Sequence, residues 1–302
     1  MYRSLNAYLR ETFGCKVYKL ALSTGCTCPN RDGTVGTRGC IFCNGSGDFA
    51  ARSSVSVTQQ IEEAKCLVAG KIRDGKYIAY FQDFSNTYAP AEKLEPMFLE
   101  AIRHPDVVAL SVATRPDCLP PDILGMLKRL QNIKPVWVEL GLQTIHPASA
   151  AYIRRGYEFP VFDTAVRNLK AIGCSVIVHQ ILGLPGETPE MMVQTARYIG
   201  NSGVDGIKLH LLHVLKGTDL EADYRAGKFC TLELDEYITI LEDCLRVLPP
   251  DVVIHRLTGD GAKRDLVAPL WSADKKRVLN EITRRFAADH FDQGERWSLD
   301  RK

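Results

Sequence analysis

The sequence predicts an α/β fold: a partial (β/α)6 TIM-like barrel with a C-terminal strand and helix extension. Three observations carry this. Strand-like and helix-like segments alternate along most of the chain. The strand-like ones are rich in β-branched residues and almost continuously apolar, which argues for a parallel sheet covered by helices on one side. Polar residues collect at the ends of these segments, where parallel α/β sheets carry their functional groups. A length of 302 residues suits one barrel-like domain with appendages. We read 1–250 as the barrel and 251–302 as an extension packed on the same domain.

In chain order, Tyr2–Phe13 is an amphipathic helix with Leu5, Tyr8 and Leu9 on one side. Val17–Leu22 alternates and runs into a cysteine-rich loop, so it is the first strand. A helix from Thr58 to about Arg73 follows, apolar at Ile61, Ala64, Leu67 and Val68. Further strands are expected at Tyr77–Phe81, Val107–Ala113, Val136–Gly141, Ser175–Leu182 and Gly206–Leu212. Helices are expected at Ala91–Arg103, Pro121–Gln131, Pro160–Ile172, Pro189–Asn201 and Leu234–Leu248. A late strand at Val252–His255 and a basic helix at Ala273–Ala288 complete the chain.

No apolar run reaches the roughly eighteen residues a membrane span needs. The N-terminal MYRSLNAYLRETFG has no signal-peptide core, so a cytoplasmic protein with reduced thiols and no membrane partner is expected. A net charge of +2 implies no nucleic-acid partner by itself. The bases that crowd the C-terminal region, Lys263, Arg264, Lys275, Lys276, Arg277, Arg284 and Arg285, are either a solvated face or an RNA contact.

The loop Gly25–Gly47 holds four of the ten cysteines within eighteen residues. Its glycines, with Pro29 and Asn30, rule out a helix or central strand and suit a backbone that curls around something. Cys28, Cys40 and Cys43 form Cys-x11-Cys-x2-Cys. Three thiolates on one centre leave a metal position open for chemistry. A structural zinc site with Cys26 as fourth ligand, or a disulfide pair, are the other readings of this spacing.

The loop resembles the cluster loop of the radical S-adenosylmethionine (SAM) superfamily, in the long-spacing variant of its Elongator-catalytic-subunit-like branch. The match to the YhcC/YtqA-like radical SAM proteins covers nearly the whole chain. It is carried by CPNRDGT at Cys28–Thr34, GCIFC at Gly39–Cys43, YIAYFQDFSNTYAP at Tyr77–Pro90, SVATRPDCLP at Ser111–Pro120 and WVELGLQT at Trp137–Thr144. It continues through GLPGET at Gly183–Thr188, GIKLHLLHVLKGT at Gly206–Thr218 and HRLTGDG at His255–Gly261. The commonest superfamily spacing, Cys-x3-Cys-x2-Cys, is not the one found here.

The resemblance implies that Cys28, Cys40 and Cys43 bind three irons of a [4Fe–4S] cluster and that SAM occupies the fourth. Reductive cleavage of SAM would then let the enzyme abstract hydrogen from a substrate, with electrons from a flavodoxin- or ferredoxin-like donor. Phe42 would pack beside adenine, and backbone from Gln82 to Asn86 would meet the methionine amino group. Glu139 would accept the ribose hydroxyls, with help from Gln143. Arg155, or else Arg154, would pair with the SAM carboxylate, and the turn at Gly183 and Leu184 would run along adenine. By position in the barrel, His210, His213, Lys216, Thr218, His255, Arg256 and Asp260 face the substrate, and their basicity suits an anionic one. The implied substrate is tRNA, with a carboxymethylaminomethyl group on the wobble uridine trimmed to aminomethyl. A small-molecule radical SAM substrate is the alternative. Outside enzymes, a non-catalytic iron–sulfur or zinc protein that binds RNA is another.

Overall fold

A computed structural model describes residues 1–45, 54–72, 75–259, 261 and 263–297. Gly47, Arg73 and Asp260 lie outside them. The strands are β1 Val17–Leu22, β2 Lys76–Phe81, β3 Val107–Thr114, β4 Val136–Gln143, β5 Ser175–Leu182, β6 Gly206–Leu211, β7 Val214–Leu215, β8 Val253–Arg256 and β9 Leu266–Ala268. The helices are α1 Leu5–Phe13, α2 Val57–Val68, α3 Ala91–Arg103, α4 Pro121–Gln131, α5 Pro147–Tyr152, α6 Phe159–Ala171, α7 Pro189–Asn201, α8 Asp219–Arg225, α9 Leu234–Arg246 and α10 Lys275–Ala288.

Seven strands form one sheet in the order β1-β2-β3-β4-β5-β6-β8. Every neighbouring pair is parallel. The sheet curls into a half-barrel, so β1 and β8 are its two edges. Outward-facing Leu20, Phe81, Leu110, Val112, Val138 and Val178 are buried under the surrounding helices. Burying each such side chain stabilises the fold by about 1.5–3 kcal/mol. The inward side differs. At the N-terminal end of the strands Leu9 of α1 packs on Val17, Ile78, Ala109, Trp137 and Ile177, and this plug closes the barrel floor.

The late strand is part of the barrel sheet, because Gly206 and Ile207 of β6 pair with Val253 and Ile254. Two features escape the periodicity. Helices α5 and α8 have only six and seven residues, and the antiparallel pair β7–β9 is shorter still. None of these spans two turns or two alternations. Helix α2 stops at Val68 rather than running on towards Arg73. Helix α1 begins at Leu5 because the Ser4 hydroxyl caps it, accepting from the Ala7 amide at 3.2 Å.

Candidate active site: a cysteine cavity and an open-side cleft

The loop after β1 is organised by its own side chains. Buried Asn30 donates to the Arg154 carbonyl at 2.6 Å and lies 3.5 Å from the Cys40 sulfur. Arg31 reaches across the loop to the Cys43 carbonyl at 2.6 Å. Its guanidinium fills the space a side chain would need at Gly39 and Gly45, both at positive φ; a Cβ there would come within 2.9 and 2.7 Å of it. These packing arrangements explain the residues between the cysteines.

Cys28, Cys40 and Cys43 line one cavity of about 200 Å³ together with Phe42. All three are free thiols. Burial and the neighbouring Cys43 push the Cys40 thiol up to about 11. Its ionisation therefore needs a strong positive partner such as a metal. Arg115, held by both oxygens of Asp117 at 2.9 and 2.7 Å, supplies positive charge on the opposite wall. Cys26 does not line the cavity; it packs against the main core.

Arg155 lines the same cavity. It donates to the Leu142 and Thr144 carbonyls at 3.2 and 2.7 Å through one terminal nitrogen, and to the Tyr157 carbonyl at 3.3 Å. Arg154 turns away to Asp219 at 2.6 Å. Gln143 also reaches the wall, from a left-handed backbone conformation at φ 65°. Asn86 spends its amide on the loop: it accepts from Thr24 at 2.9 Å and donates to the Asp83 and Ala113 carbonyls at 3.0 and 3.1 Å. Gln82 lines the other cavity described below. Gly183 and Leu184 stand behind the wall, where Leu184 packs on Ile41 of the cysteine loop.

Among the described residues the one carboxylate on the cavity wall is Glu139, and it is fully buried in the barrel interior. One oxygen accepts from Lys19 at 2.6 Å and Ser111 at 2.8 Å. The other accepts from His179 Nε2 at 2.8 Å and pairs with Lys208. These cations hold its pKa well below the usual range although burial opposes them. His179 is pushed down to about 4 by burial, so it is a neutral imidazole with its proton on Nε2. Lys208 also donates to the Tyr80 hydroxyl at 3.0 Å, and burial brings its pKa down to about 7. Six strands each give one residue to this layer. Sequence reasoning missed Lys19, Tyr80, Ser111 and Lys208. The available signal was a lysine inside the apolar runs KVYKLAL and GIKLHL, which is costly unless partnered.

Beyond that layer, between the sheet edges β1 and β8, opens a cleft of about 850 Å³. Lys16, Lys19, Lys71, Lys208, Arg256 and Lys275 line it, and no Asp or Glu does so among the described residues.

Of the described residues expected to face substrate, Arg256 and His255 share the cleft and the others lie elsewhere. Arg256 is in the cleft, level with Lys208. His210 lies against His179, ring centroids 5.0 Å apart, with Nε2 buried and without a partner among the described residues. His255 also lines the cleft, but at its barrel-floor end rather than the mouth, edge-on to Trp137 at 5.5 Å. The cause is register: β8 is short and lies opposite the start of β6. His213 accepts from the Gly261 amide at 3.1 Å and fills the space beside Gly259. Lys216 is exposed on the β7–β9 pair and donates to the Arg264 carbonyl at 2.8 Å. Thr218 caps α8.

Comparison with known proteins decides the family. Residues 28–199 match the Radical SAM superfamily, and 204–288 match the Radical_SAM C-terminal domain. Across 285 residues the chain is 45% identical to YtqA of Bacillus subtilis, covering 94% of this chain and 88% of that protein. The chain belongs to the radical SAM superfamily, in its YhcC/YtqA-like branch. YhcC of Escherichia coli is 37% identical over 289 residues, 95% of this radical SAM protein and 92% of YhcC. A tRNA uridine(34) acetyltransferase of Dehalococcoides mccartyi is 29% identical over 183 residues, 59% of this chain and 38% of that one. Among solved structures, archaeal Elp3 of Methanocaldococcus infernus superposes with a TM-score of 0.70 at 17% identity, covering 92% of this chain and 64% of that one. That likeness supports the fold, a radical SAM half-barrel.

This radical SAM protein is an enzyme whose cofactors are a [4Fe–4S] cluster and SAM. The cavity fits them. Among the described residues no three His, Cys, Asp or Glu side chains are close enough to hold one metal ion, whereas cluster cysteines each take a separate iron. Three free thiols share the wall with the cations Arg115 and Arg155 and the Glu139 carboxylate. Among the described residues no helix is long and apolar enough to cross a membrane.

Proposed function

We propose that the substrate is the wobble uridine of a tRNA, and that the enzyme trims a carboxymethylaminomethyl group at C5 to aminomethyl. The observation that carries this is the basic cleft beside the cysteine cavity, free of acids among the described residues. Six cations around about 850 Å³ focus a positive field on an opening large enough for a nucleotide. A loop base, already unstacked, can enter such an opening while its backbone phosphates stay with the outer lysines. Likeness to a tRNA uridine(34) acetyltransferase over 59% of the chain supports the same substrate class.

Cys28, Cys40 and Cys43 would hold the cluster, and Arg155, Glu139, Gln143 and Phe42 would surround SAM. When bound, the cluster and SAM would supply the one-electron chemistry that removes a hydrogen atom from the methylene between nitrogen and carboxylate. A second electron would pass to the electron-transfer partner, and water would hydrolyse the resulting imine to the aminomethyl group and glyoxylate. The chain's own part is positioning and exclusion of water. Arg31 and Asn30 fix the loop, the α1 plug shuts the barrel floor, and Arg256 and Lys208 meet the carboxylate of the substrate.

Mass spectrometry of tRNA nucleosides tests this. Cells without the gene should accumulate the carboxymethylaminomethyl nucleoside and lack the trimmed one. An unchanged nucleoside profile would overturn the assignment.

A further inference from the structure

The Glu139 carboxylate has about four acceptor positions, and all four are filled: by Lys19, Ser111, His179 and Lys208. Among the described residues it is also the only acidic one on the wall of the cysteine cavity. A ligand there that brings hydroxyl donors to Glu139 must therefore displace one of these partners. Ser111 and His179 reach Glu139 with short side chains from the neighbouring strands β3 and β5, whereas the two lysines reach it on long flexible ones. Lys19 is held over two rings, 4.8 Å from Tyr80 and 5.4 Å from Trp137. Lys208 also lies over Tyr80, at 4.6 Å, and both lysines line the cleft. But Lys208 touches one ring rather than two, pairs in register with Arg256, and donates to the Tyr80 hydroxyl at 3.0 Å, a second acceptor that stays with it when it leaves Glu139.

We propose that Lys208 couples the two cavities. An anionic group in the cleft draws the Lys208 ammonium off Glu139, and the freed oxygen accepts hydroxyl donors of SAM. The anion is a carboxylate or a phosphoryl group, because the layer holds two lysines against one carboxylate and can accommodate one more negative charge. Lys208 is thus a positioning residue that acts through Glu139. The groups around it are Lys19, Tyr80, Glu139, His179 and Arg256, with His210 on its own strand. A pKa near 7 means that its charge is only marginally held. The idea rests on the cofactor assignment and, for the source of the anion, on the proposed substrate.

The test is equilibrium binding of SAM to cluster-loaded protein without reductant, so that nothing is cleaved. Acetate or inorganic phosphate should tighten SAM binding to the wild type, on the order of five- to tenfold, as coupled sites do. Tightening by acetate alone assigns a carboxylate subsite, and by phosphate alone a phosphoryl subsite. Lys208→Met should bind SAM more tightly without either anion and ignore both. Lys208→Arg, which keeps the charge and grips Glu139 with two bonds, should bind SAM no more tightly than wild type. The arginine variant keeps the test open if the methionine variant does not fold. SAM binding that no anion alters, or that Lys208→Met leaves as in the wild type, overturns the coupling. None of these readouts uses RNA. Coupling without tRNA turnover would refute the wobble-uridine reading alone, and turnover without coupling would refute this one alone.

Discussion

The cysteine cavity and the open-side cleft share a wall but are built in opposite ways. The cavity takes its thiols from one loop, Cys28 to Cys43, and sets the Glu139 carboxylate against cations. The cleft takes its bases from places as far apart in sequence as Lys16 and Lys275, and has no carboxylate among the described residues. On the proposed reading, the cluster is held by a contiguous motif, whereas the substrate is met by single residues on separate elements. Glu139 and His179 on one side, Lys208 and Tyr80 on the other, are where the two meet.

The largest expected effects lie on the cavity side. Cys28→Ala, Cys40→Ala and Cys43→Ala should each abolish SAM cleavage, measured as 5′-deoxyadenosine release. Cys26→Ala should keep the cluster and its visible absorption. Cluster loss in the Cys26 variant would mean that the loop, not the tripod, is the binding unit.

Next comes the wall. Glu139→Gln strands Lys19 and Lys208 in the interior, and breaking a buried pair from one side costs about 3–5 kcal/mol. It should also weaken SAM binding, by roughly ten- to a hundredfold for the missing charged hydrogen bonds. Denaturant unfolding and SAM titration read these separately. Stability unchanged from wild type would show that the lysines find other partners.

Lys208 also sets a pH dependence. Its folded pKa of about 7 lies below the ordinary lysine value of 10.5. Between those limits the unfolded chain holds a proton that the folded one has released, so stability contributed here rises with pH across that window. Below about pH 7 both states are protonated and the contribution is flat. Lys208→Met should remove the rise, at most about 1.4 kcal/mol per pH unit. A variant with the wild-type slope would assign the dependence to another group.

A smaller change is expected for RNA. Neutralising Lys16, Lys71 and Lys275 together should weaken tRNA binding and flatten its salt dependence, by about one unit of slope for each phosphate left without its lysine. Neutralising Arg284 and Arg285, which are already paired with Glu281 and Asp289, should do little. If the two sets behave alike, the cleft is not the RNA face. The smallest effect is that of Lys216→Ala. Its ammonium is bonded to the Arg264 carbonyl and lines neither cavity, so SAM cleavage and tRNA turnover should stay near wild type.

The same contrast explains what could be read from the sequence. Strand order and the outer core follow from apolar runs that need only local periodicity, and the cysteine loop is a contiguous signature. The cleft depends on which strands become edges and on register across the sheet. His255 shows the difference: its place after a late strand suggested the barrel mouth, but β8 pairs with the start of β6 and leaves it on the floor. Lys19 and Lys208 are 189 residues apart and share one carboxylate only because β1 and β6 curl towards each other across the barrel.

The most direct measurement is isotope transfer. A tRNA carrying deuterium on the methylene next to the carboxylate of the wobble side chain would be incubated with cluster-loaded enzyme, SAM and reductant. Deuterium should appear in 5′-deoxyadenosine as the aminomethyl product forms. Product formed with no deuterium in 5′-deoxyadenosine, or 5′-deoxyadenosine released with the tRNA unchanged, would contradict the account.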